Sequence, residues 1–125
     1  MKELPKQVLD AWTKKEGPVV FTTVSSNSIP NSIYVTCVAI FNTQSFVIAN
    51  NYFVKTKLYI ESNNTASVLF ITVEGVSFQV KGKLVYHTHG VVFDFMKSWN
   101  PEKNPGNAAV ELVPEQIFSG AKQIF

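Results

Sequence analysis

Arginine is absent from this chain: all eleven of its basic residues are lysines. The planar fork that grips a carboxylate or phosphate through two parallel bonds is therefore missing. Any anion must be held by lysine, hydroxyl and backbone N–H groups. Charge of either sign is sparse, at 16% of residues, and the net charge is only +2. Lysines are adjacent only at Lys14–Lys15, which argues against a nucleic-acid surface, since phosphate tracking needs clustered positive charge. The single cysteine, Cys37, excludes an internal disulfide framework and a cysteine-rich metal site, and it fits a reducing, cytoplasmic setting. No apolar run approaches the ~20 residues of a membrane-spanning helix, and no basic start leads into an apolar segment. Neither a membrane span nor a signal peptide is expected. The patterns G-x-G-x-x-G and G-x-x-x-x-G-K are also missing, so a nucleotide-like ligand would sit neither in a Rossmann crevice nor on a P-loop.

What the chain has in quantity is apolar and aromatic side chains. Apolar residues make up 46% of its 125 positions, which implies one globular domain over residues 1–125 with a substantial core. Ten phenylalanines, four tyrosines and two tryptophans exceed what such a core requires. The surplus points to a ligand pocket or a subunit interface, although small β-barrels also fill their interiors with large side chains.

Leu4, Val8, Ala11 and Trp12 recur at helical spacing, and Gly17–Pro18 ends that helix. Residues 19–25 read as a strand and 26–28 as a turn. Residues 31–42 form a long β stretch in which Ile33, Val35, Cys37, Ala39 and Phe41 share one face, and Tyr34, Thr36, Val38 and Ile40 the other. A turn at 42–44 leads into a strand at 45–49. Residues 65–73 and 76–88 pair across Glu74–Gly75, with Ser77, Gln79, Lys81, Lys83 and His87 on the polar face. A helix marked by Val92, Phe95, Met96 and Trp99 stops at Asn100–Pro101, and a last strand covers 108–113. Six strands, mostly joined by hairpins, with short helices at the edges, predict a mainly β fold: an antiparallel barrel.

The stretch 45–64, SFVIANNYFVKTKLYIESNN, carries the strongest functional signal. It reads as a buried strand, a turn at 50–53 and a short helix over 54–61, which puts Lys55 and Thr56 in the first helical turn. A lysine is poorly placed at that already positive end unless something anionic binds there. An ammonium, a hydroxyl and free N–H groups converging on one point suit a phosphate. A solvated Lys55 beside an ordinary early-helix Thr56 accounts for the same residues equally well.

Residues 48–70, IANNYFVKTKLYIESNNTASVLF, resemble the signature of FMN-binding split-barrel proteins related to pyridoxamine 5′-phosphate oxidase. FQVKGKLVY (78–86) is similar to that family's next strand, and VELVPEQIFSGA (110–121) to the C-terminal strand of its small members. The resemblance implies a six-stranded antiparallel split β-barrel and a homodimer with FMN at the interface. It implies that Lys55 and Thr56 hold the FMN phosphate and that Tyr34, Val35 and Thr36 lie along the ring. Asn50 and Asn51 would stand beside the ring edge and ribityl chain, with Gln79 and Lys81 as further contacts. The vitamin-B6 oxidase uses arginines on cofactor and substrate, so that activity is not expected of a chain without one.

The implied function is electron transfer or a small flavin-dependent oxidoreductase, with NAD(P)H or a redox protein as partner. The alternative is a non-redox split-barrel module that binds a deazaflavin or heme. A structural barrel with no small ligand is a third reading. His87 and His89 lack a third ligand and point to opposite faces of a continued strand, so no metal site is expected. Cys37 reads as a small buried side chain, and Trp12 and Trp99 as core.

Overall fold

The computed structural model describes residues 2–125. Three short helices and eight strands alternate along the chain: α1 (Lys6–Trp12), β1 (Val19–Val24), β2 (Pro30–Val35), β3 (Val38–Phe41), β4 (Ser45–Asn50), α2 (Lys55–Ser62), β5 (Thr65–Ile71), β6 (Ser77–His87), α3 (Val91–Trp99), β7 (Ala108–Ser119) and β8 (Lys122–Gln123). All strands pair antiparallel in one sheet of order β2-β1-β5-β6-β7-β4-β3, with β8 added on β7.

The order explains the curvature. The two ends of the sheet, β2 and β3, are consecutive in sequence and separated only by Thr36 and Cys37. The three Cα–Cα steps from Val35 to Val38 span no more than about 11 Å, so the sheet must curl until these edge strands come together. The result is a mainly β split barrel with the split at 36–37. Its interior holds Phe21, Phe46, Ile48, Val68, Val80 and Leu112, and Trp12 of α1 closes one end edge-on to Phe46 and Phe70. A smaller core outside the barrel packs Val92 and Met96 of α3 on Val47, Ala49 and Ala109.

The six expected strands become eight for two local reasons. The 31–42 stretch breaks at 36–37, and the break shifts the alternation by one residue. Ile33 and Val35 of β2, and then Val38 and Ile40 of β3, all pack against the barrel core. Cys37 and Phe41 instead pack against the α3 core, with Phe41 4.9 Å from Phe95. The expectation that residues 33 to 41 keep one face therefore fails. The last strand also runs past Pro114 to Ser119, beyond the expected end at 113. A bulge absorbs the proline: Gly82 pairs with Pro114 and Lys81 with Gln116, leaving Glu115 as the extra residue. The short β8 then follows. No helix among the described residues is long and apolar enough to cross a membrane.

Candidate functional site

The split creates a concavity. Tyr34, Val35, Thr36 and Cys37 from the β2–β3 break face Ala49, Asn51, Tyr52 and Phe53 from the end of β4 and its following turn, around a cavity of about 220 Å³. Tyr34 and Tyr52 stand 77% and 71% exposed at its mouth, while Val35 is buried and turns its side chain into the barrel. Phe53 stacks on Phe21 at 6.2 Å, which ties the turn to the core. Aromatic walls around backbone edges suit a flat, partly apolar ring. Four of the expected residues (Tyr34, Val35, Thr36 and Asn51) are brought together here. The sequence reading missed Cys37, Ala49, Tyr52 and Phe53. Cys37 is half-buried at the break and not buried in a strand interior. Two aromatics inside a turn were the available signal for Tyr52 and Phe53.

Asn50 and Asn51 build the site without offering their amides to it. Asn50 donates from Nδ2 to Tyr86 Oη at 2.8 Å and accepts Phe53 N–H at 3.0 Å, which sets the turn. Buried Asn51 exchanges hydrogen bonds with Asn100, donating at 3.0 Å and accepting at 2.8 Å. It also accepts Gly106 N–H at 3.0 Å. Asn107 completes the clamp, giving its backbone N–H to Asn50 O and its side-chain amide to Asn51 O. The loop 101–107 is thereby fastened beside the cavity.

Next along the chain, α2 starts at Lys55 with Val54 as its N-cap; no side chain caps it and no acid occupies its first turn. The helix's own bonding begins with Leu58 N–H to Val54 O, so the N–H groups of residues 55–57 are free of intrahelical partners. Lys55 is exposed and, among the described residues, makes no ion pair. Thr56 differs from the expectation of a hydroxyl turned to an anion. It is 3% exposed, and its Oγ1 accepts from Asn31 Nδ2, which also donates to Thr23. Thr56 thus pins the helix start to β1 and β2, leaving Lys55 and the N–H groups as the outward-facing polar set.

Gln79 and Lys81 are not brought to this cavity. They lie on β6, three strands from Tyr34 across β1 and β5, which is about 14 Å at the usual strand spacing. Lys81 lies over the Phe118 ring at 5.2 Å and borders a separate groove with Thr22, Thr65 and Ser67. That outer face of the sheet also exposes Leu69 and Ile71 beside Tyr34, around a shallow depression of about 370 Å³.

The histidines lie elsewhere. His87 Nε2 is 2.9 Å from Glu111 Oε1, and the other oxygen of this buried carboxylate accepts from Ser45 at 2.6 Å. His89 is exposed in the turn after β6. Among the described residues no three His, Cys, Asp or Glu side chains converge as metal ligands would.

Comparison with known proteins places this geometry. HupZ of Group A Streptococcus superposes with a TM-score of 0.80 at 19% identity, covering 93% of each chain. An FMN-binding protein of Syntrophomonas wolfei gives 0.72 at 14% identity, over 83% of this chain and 77% of that one. HutZ, a heme storage protein of Vibrio cholerae, gives 0.69 at 14% identity, over 94% and 95%. At such identities these likenesses speak for the fold alone. No curated protein matches the sequence. The family model described as pyridoxamine 5′-phosphate oxidase matches residues 5–119, nearly the whole of the barrel just described, and the chain belongs to that family.

Proposed function

We propose that this protein is an FMN-binding flavoprotein working as a homodimer, either a small flavin-dependent oxidoreductase or an electron carrier. The observation that carries the reading is one juxtaposition: the aromatic-walled cavity at the barrel split, followed within a few residues by an uncapped helix start bearing Lys55. The residues present fit the cofactor. Tyr34, Tyr52 and Phe53 flank a planar ring, and the backbone of Val35 and Thr36 runs along its edge. Lys55 and the first-turn N–H groups of α2 receive the phosphate, held in place by the Thr56–Asn31 bond beneath them. When bound, FMN would supply the redox chemistry, and the chain binds and orients it.

A second copy of the chain is assigned to the outer face, where Tyr34, Leu69 and Ile71 leave apolar surface in water. On that arrangement Gln79 and Lys81 belong to the interface and not to the ring site of their own protomer. A histidine-ligated heme is disfavoured because neither histidine lines the cavity. Oxidation of a phosphorylated vitamin B6 is disfavoured by the lack of arginine.

The test is selective loss. Lys55→Ala is expected to weaken FMN about tenfold and leave riboflavin unchanged, as read by flavin fluorescence titration. Lys55 is exposed, so its charge-assisted contact falls at the weak end of such interactions. Equal losses for the two flavins would remove Lys55 from the phosphate. A co-purified ligand with the absorption of heme or a deazaflavin would replace the reading.

A further inference from the structure

We infer that Asn104 determines the ligand class of the cavity, by pairing its carboxamide with the imide edge of a planar ring. This rests on the FMN reading and deepens it. Asn104 stands on the 101–107 loop and reaches two residues that line the cavity from opposite sides. Its Oδ1 is 3.4 Å from Tyr52 Oη, and its Nδ2 is 3.8 Å from Cys37 Sγ. The first contact is well beyond the usual 2.7–2.8 Å of an O–H···O bond, and a thiol sulfur is a weak acceptor. A half-buried amide thus stands just behind two residues that line the aromatic pocket, bonded to them by long contacts that a ligand edge could displace.

The backbone beneath it is firm by contrast. Asn104 N–H bonds Pro101 O at 2.9 Å, Lys97 Nζ donates to Pro105 O at 3.0 Å, and the Asn51 and Asn107 bonds fasten the end of the loop. An underused donor–acceptor pair on a rigid mount is preorganised for a ligand edge. A carboxamide presents one acceptor and one donor in a plane, and its complement is an adjacent N–H and C=O. An imide supplies that pair. Isoalloxazine rings carry an imide, and porphyrins do not. Asn104 therefore selects flavin-type rings over heme at this site.

The experiment is a cycle of protein and ligand changes. FMN and 3-methyl-FMN, whose imide nitrogen has no proton, are titrated into the wild type, Asn104→Ala and Asn104→Asp. The wild type is expected to bind FMN about tenfold more tightly than 3-methyl-FMN, the scale of one buried hydrogen bond with its unpaired partner left behind. In Asn104→Ala that ratio falls to about one. The melting temperature of the ligand-free protein changes little, because the Tyr52 and Cys37 partners hold the amide only weakly. Asn104→Asp keeps an oxygen that accepts the imide N–H, so its ratio is expected to stay well above one, and a ratio of about one there overturns the assignment. A ratio unchanged in both variants overturns the assignment while leaving the FMN reading intact. A wild type that binds neither ligand overturns both.

Discussion

Replacing Gly82 by alanine is expected to destabilise the protein by about 3 kcal/mol, at the upper end of overpacking costs. A Cβ added at this position would lie 2.0 Å from Val113 O and 2.8 Å from its carbonyl carbon, and both are backbone atoms of the adjoining strand. No rotamer change relieves such a clash. Either β6 and β7 separate at the Lys81/Gly82 bulge or the bulge is lost, and with it the room for Pro114. Because β6 and β7 form the longest pairing in the barrel, the strain falls on its central seam. For a chain of this size the melting temperature should drop by roughly 12 °C. Gly75→Ala is the matched control: it too fills a glycine, but nothing lies within 4 Å of the new methyl and only its positive φ of 86° is strained. Its cost should stay near 1 kcal/mol, as expected for a left-handed position in a turn. Equal melting temperatures for the two variants would mean that the close approach at Gly82 is not structural.

Asn51→Ala is expected to cost about 3 kcal/mol in the ligand-free protein and to weaken FMN in addition. The substitution deletes three hydrogen bonds at a buried position, two to Asn100 and one from Gly106 N–H. It leaves the Asn100 amide, itself 8% exposed, and the Gly106 N–H without partners, and unpaired buried groups cost more than a formed bond contributes. The loop 101–107 would loosen from the turn that carries Tyr52 and Phe53, so one wall of the cavity would move. Urea denaturation of the apo-protein separates this clamp from a ligand contact. A variant of unchanged apo-stability that loses only FMN affinity would return Asn51 to the ring-contact role that the family resemblance implies.

The fate of the two asparagines shows which parts of the site could be read from sequence. A turn at 50–53 and a helix just after it are local, written in the Asn-Asn pair and the apolar spacing that follows. The structure has α2 at Lys55–Ser62, within a residue of expectation. The roles of Asn51 and Thr56 are set by Asn100 and Asn31, which lie 49 and 25 residues away in sequence. No local pattern indicates those partners, and two polar residues beside an anion site therefore read as ligand contacts. The break at 36–37 was hidden for another reason. Neither Thr36 nor Cys37 is a strand breaker, and the apolar alternation passes through them unbroken in sequence while the backbone shifts phase. Pro114 misled in the opposite direction. A proline ordinarily ends a strand, yet Gly82 opposite it opens a bulge wide enough to carry β7 onward.

Whether the cleft at the barrel split, with Lys55 beside it, holds FMN is decided by titrating the wild-type protein with FMN and following visible absorption. A saturable shift and sharpening of the flavin bands is expected, ending at one FMN per chain. Bands that stay those of free FMN throughout the titration would rule the cleft out as a flavin site.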